Sequence, residues 1–104
     1  MFQSLKMKFE YNSDITLSLN TLEEIITKII DLKEITNKDI CNANKIIHYF
    51  LFTKGLNMTN EIYTLAKLIE LFDLNDKQRR YFRTIFSNLK IFINRDNSKT
   101  ELKF

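Results

Sequence analysis

The chain holds one thiol, Cys41, and one imidazole, His48. Nucleophilic catalysis would need such a pair within hydrogen-bond reach. Both fall on one expected helix, seven residues apart, which separates them by two turns or roughly 10 Å along its axis. That spacing excludes a nucleophile–base pair within the helix. With no second histidine or cysteine, no metal set can be built from soft ligands, and no metal or cofactor is expected. Cys41 is therefore expected as a packed thiol and His48 as a core or boundary histidine. Glu23 and Glu24 fall at the start of an expected helix, where the helix dipole accounts for them without acid–base chemistry. A single glycine rules out a glycine-rich phosphate loop. These residues give no reason to expect an enzyme.

The cations are the other chemistry on offer. Residues 77–103 carry eight Lys/Arg against two acids, and the rest of the chain carries eight against eleven. A modest overall charge of +3 therefore hides a polarised chain. Lys77, Arg79, Arg80 and Arg83 lie on one basic helical stretch, and Lys90 follows it. Arg95, Asn97, Ser98 and Lys99 fall in a polar loop near the chain end. Such a concentration points to a polyanion. Arginines can also make bidentate contacts to guanine edges in a major groove. A loop arginine such as Arg95 can enter a minor groove or grip its phosphates.

At 104 residues and 44% apolar composition the chain is read as one domain, residues 1–104, with material for a real core. The lone cysteine excludes an internal disulfide and suits a reducing cytoplasm, the expected location. The N-terminus lacks the apolar core of a signal peptide, and no apolar run is long enough to span a bilayer.

The elements that must position the cations follow from periodicity. Met7, Phe9 and Tyr11 alternate with Lys8 and Glu10, and Ile15, Leu17 and Leu19 alternate with Thr16 and Ser18. This period of two predicts an N-terminal strand or hairpin turning at Asn12-Ser13-Asp14. Asn20 is expected to cap a first helix running to about Glu34, with Glu23 at the third position. Thr36 caps a second helix with Asp39 at the third position, and its buried stripe is Ile40, Ala43, Ile46, Ile47, Phe50 and Leu51. Lys54 and Gly55 stop it. Thr59 or Asn57 caps a third, with Ile62, Leu65, Ala66, Leu68, Ile69 and Phe72 inward. Asn75, with Gln78 three residues on, caps a fourth from Asp76 to Leu89. Residues 90–93 and 100–104 then predict a β-hairpin around the loop 94–99. The expected order is β-β-α-α-α-α-β-β.

Helix, helix, basic helix and basic hairpin is the plan of a winged helix-turn-helix, and the expected class is α+β, mostly α. Leu65-Ala66-Lys67, then Leu71 to Asn75, then the capped basic helix resembles the helix-turn-helix motif. Leu74 would plug the gap between its helices. Asp73 stands where the family usually has glycine, and the first helix is about two residues long for the motif. The whole-chain plan is similar to small winged-helix DNA-binding proteins, and its size and basic wing look like the accessory relaxosome proteins of clostridial conjugative plasmids. That resemblance implies double-stranded DNA bound through wing, recognition helix and nearby N-terminal residues, which adds Lys6 and Lys8. It implies transfer-origin binding or transcriptional regulation, with a relaxase or another DNA-processing protein as a further partner. One small module reading two half-sites predicts a homodimer joined by the N-terminal strands or Phe92. The competing expectation is a protein-interaction module, an inhibitor or immunity protein whose basic face meets an acidic protein.

Overall fold

The computed structural model describes residues 6–7, 12–56 and 58–89. Among them there are four helices and no strand: α1 (Ser13–Ile30), α2 (Asn37–Phe52), α3 (Thr59–Glu70) and α4 (Asp76–Ile85). Lys6 and Met7 are also helical.

The first correction concerns α1. Residues 15–19, expected as a strand, form its first turns. Its N-cap is Asn12, whose side chain accepts from the Ile15 N–H at 3.1 Å. Ile15, Leu19, Leu22, Ile25, Ile26 and Ile29 are buried along one face, whereas Leu17 is 66% exposed. Residues i and i+4 share a face in a strand and in a helix alike. Residue i+2 decides, and Leu17 points away. The i+4, i+3, i+3 spacing from Ile15 to Ile25 continues the helical stripe without a break. Asn20, expected as a cap, is an exposed mid-helix residue.

The end of α1 is a Schellman turn. The Lys33 N–H donates to the Lys28 carbonyl at 2.8 Å and the Leu32 N–H to that of Ile29 at 3.2 Å. Leu32 occupies the left-handed position, with φ 59°.

α2 starts as expected. Thr36 Oγ1 accepts from the Asp39 N–H and Asp39 Oδ2 accepts from the Thr36 N–H, both at 3.1 Å. This reciprocal box holds the Asp39 carboxyl below its ordinary 3.8, first through the backbone N–H of Thr36. Ile40, Ala43, Ile47 and Phe50 are buried, and Gly55 takes φ 92° beyond the helix end. α3 is capped at Met58 by backbone alone, in place of Thr59 or Asn57. Its Ile62, Leu65, Ala66 and Ile69 are buried, but Leu68 and Phe72, expected inward, are exposed. α4 opens with a second reciprocal box: Gln78 N–H to Asn75 Oδ1 at 2.8 Å and Asn75 N–H to Gln78 Oε1 at 2.7 Å. It ends at Ile85, and residues 86–89 are turns.

α2 is the hub. Close backbone approaches join it to α4, α1 and α3, and join α1 to α4. Phe50, Phe82 and Phe86 are the largest fully enclosed side chains of one continuous core. Leu74 is buried between α3 and α4 in sequence, as a plug should be. Yet α3 and α4 are not among the closely joined pairs, so α4 does not stand on α3 as a recognition helix stands on its support. The α+β winged helix-turn-helix expectation is thus overturned: the described residues make an all-helical domain in which α4 lies against α2 and α1. The expected C-terminal hairpin falls on residues 90–104, outside the described residues.

Candidate nucleic-acid interface

The four expected cations of α4 divide in two. Arg79 is only 5% exposed, and its Nη2 donates to Asp76 Oδ1 at 2.7 Å. Arg83 is half-buried, with its Nε shielded from solvent. A buried guanidinium has its stem packed and its charge engaged within the protein, so it contributes to the fold before it contributes to any surface. Lys77 and Arg80 are exposed. The 100° step of the helix accounts for the division: Arg79 and Arg83, four apart, share the flank next to the core positions Phe82 and Phe86, whereas Lys77 and Arg80 lie on the outer side.

Of the other expected contacts, Lys6 Nζ is paired with Glu23 Oε1 at 2.6 Å, against the side of α1. Lys8, Lys90, Arg95, Asn97, Ser98 and Lys99 lie outside the described residues.

The structure gathers residues that the sequence left apart. An open groove of about 610 Å³ runs between α2 and α4. Asn37, Ile40, Cys41 and Asn44 form one wall. Lys77, Arg80, Tyr81 and Thr84 form the other. Each set follows i, i+3, i+4, i+7, so each wall is one helical stripe. The lining holds two cations and no carboxylate. Cys41 is exposed here, contrary to the packed thiol expected. Lys77 Nζ lies 6.0 Å from the centroid of the Tyr81 ring, within cation–π range.

Asn44 fixes the geometry. Its Nδ2 donates to the carbonyls of Thr84 and Ile85 at 2.9 and 3.2 Å and to Ser87 Oγ at 3.3 Å. It thereby caps the C-terminal end of α4 from α2 and holds the two walls in register. Gln78 does the same at the other end. Its Nε2 donates to the Ile29 carbonyl at 2.9 Å and to that of Ile30 at 3.3 Å, satisfying the last turn of α1.

A second groove, about 450 Å³, adjoins the first across the Lys77–Tyr81 ridge, since both residues line both grooves. Leu32, Lys33 and Glu34 stand on its far side. Lys33 thus stands across this groove from Lys77, with one acid, Glu34, beside it. No sequence signal could have found Lys33, because its place depends on where α1 ends. Asn37 and Asn44 could have been found, since they extend the Ile40–Cys41 stripe by one turn in each direction.

His48 is exposed, with its ring centroid 4.5 Å from that of Phe52, and not the core or boundary residue expected. Among the described residues no group of His, Cys, Asp or Glu could hold a metal ion. No described helix is long and apolar enough to cross a membrane. Comparison with protein families, curated proteins and solved structures finds no match to this chain.

Proposed function

We propose that the protein binds double-stranded DNA without catalysing a reaction, through the ridge of Lys77 and Arg80 with Lys33 across the adjoining groove. The observation that carries this is the placement of Lys77 and Arg80, exposed and one turn apart, on a groove lined by no carboxylate. A phosphate backbone is a line of like charges, and a ridge of exposed cations on a rigid helix neutralises successive members of it. Asn37 and Thr84 are short polar neighbours suited to phosphate oxygens. Arg79 and Arg83 support the ridge from within the fold. The duty that fits is that of a small accessory DNA-binding protein, in DNA transfer or transcription, acting as a homodimer on paired half-sites.

Fluorescence anisotropy of a labelled random duplex tests this. Lys77→Ala with Arg80→Ala should weaken binding at least tenfold, while Lys54→Ala with Lys67→Ala, on other surfaces, should change it less than twofold. Equal effects of the two double variants would contradict the assignment.

A second reading has its own observation. Leu68, Leu71 and Phe72 at the end of α3 are exposed, Leu71 to 81%. Adjacent exposed apolar side chains mark protein contacts more often than nucleic-acid contacts. A protein-interaction module would use this patch, and Leu71→Glu would abolish its partner binding while leaving duplex binding unchanged.

A further inference from the structure

The α2/α4 groove has more than a phosphate backbone requires. Phosphates need cations and small donors at a surface. Here Lys77 and Arg80 share the lining with Ile40, Cys41 and the half-buried Tyr81. A volume of about 610 Å³ is in the range of small-ligand sites, though open to solvent. Apolar side chains, an aromatic ring and two cations in one lining are the chemistry of a site for a nucleobase with its phosphate attached.

Asn44 adds a directional element. Its Nδ2 is held by two carbonyls of α4 and by Ser87 Oγ in the turn that follows. Asn44 lines the groove, and with Nδ2 engaged its acceptor capacity lies at Oδ1. An amide oxygen at a groove complements an amino group, such as those on the edges of adenine, cytosine and guanine.

We propose that this groove takes one unstacked nucleotide of a nucleic-acid strand. The base packs on Tyr81 and Ile40 and presents an amino group to Asn44 Oδ1, while Lys77 and Arg80 hold the flanking phosphates. The inference rests on the DNA reading above and narrows it: the favoured target carries an unpaired nucleotide, at an end, a nick or a loop.

Cys41 provides a direct probe, because it is the sole thiol of the chain and lies in the groove. The rate of its alkylation by iodoacetamide is measured on the full chain, alone and with saturating oligonucleotide. Three probes are compared at one salt concentration: a short single strand, its blunt duplex, and the same duplex with a short overhang. Anisotropy gives the affinities. The single strand and the overhang should bind several-fold tighter than the blunt duplex and slow alkylation of Cys41 about tenfold. Cys41→Trp, which fills the groove from an exposed position, should remove that preference while leaving blunt-duplex binding within twofold. Tyr81→Ala should remove it as well, weakening single-strand binding several-fold. Binding of all three probes with Cys41 alkylated at its free rate would overturn the nucleotide site and leave the DNA reading standing. Failure of every probe to bind would overturn both. Protection of Cys41 by an acidic helical peptide but by no oligonucleotide would overturn the nucleotide site and assign the groove to a protein partner.

Discussion

Leu32 holds a backbone conformation that suits glycine, with φ 59°, and its side chain is largely exposed. The left-handed region costs a β-carbon-bearing residue roughly 1–2 kcal/mol, offset in part by glycine's greater unfolded-state freedom. Leu32→Gly should therefore raise stability by up to about 1 kcal/mol, read as an upward shift of the thermal midpoint. Leu32→Ala keeps the strain and should leave the midpoint almost unchanged. Arg79 carries the opposite expectation. Being buried and paired with Asp76, it should lose stability on change to Ala, by about 1–3 kcal/mol. The refolded variant should bind DNA as the unmodified chain does. Asp39 contributes a pH dependence. Its folded pKa is depressed by the Thr36 N–H, so its contribution is present above the unfolded value and vanishes as pH falls through the folded one. Asp39→Asn should accordingly be less stable than the parent at pH 7, with the gap closing in acid, as denaturant titrations at several pH values would show.

At the scale of elements, α4 is fastened at both ends by side-chain amides. Gln78 satisfies the Asn75 N–H and two carbonyls of α1. Gln78→Ala leaves those groups without their partner and should cost about 2–3 kcal/mol in urea unfolding. Gln78→Glu keeps the box with Asn75 but replaces an N–H donor by an oxygen facing carbonyls, so it should not rescue. The caps that involve neighbours in sequence were legible: Thr36 with Asp39, and Asn75 with Gln78, announce α2 and α4 directly. The bonds from Gln78 to α1 and from Asn44 to α4 join residues forty or more apart in sequence, and no local pattern encodes them. The start of α1 resembles a strand in sequence for a physical reason. Ile15 and Leu19 satisfy both periods, and the extra apolar residue Leu17 completed a false alternation although it faces solvent. The end of α1 was hidden because a leucine sits where a glycine would have marked the stop. On α4, the helical period separates Lys77 and Arg80 from Phe82 and Phe86. It could not show that Arg79 is enclosed, because that depends on how closely the neighbouring elements approach.

Over the molecule, net charge decides little. Residues 12–89 hold ten Lys/Arg and ten Asp/Glu, so the helical body is neutral overall. Attraction to a polyanion must come from placement, and the placement is local: Lys33, Lys77 and Arg80 around two adjoining grooves, with Glu34 as the one carboxylate in their linings. The cationic surface that α4 presents is smaller than the run of arginines implied, because half of that run supports the fold.

The salt dependence of duplex binding tests the central claim most directly. Each phosphate neutralised adds about −0.9 to the slope of log K against log salt concentration. Lys77, Arg80 and Lys33 together predict a contribution of about −2.7. Replacing Lys77 and Arg80 by alanine should flatten the measured slope by about 1.8. A slope that is unchanged by the double substitution, or duplex binding that does not vary with salt at all, would contradict the account.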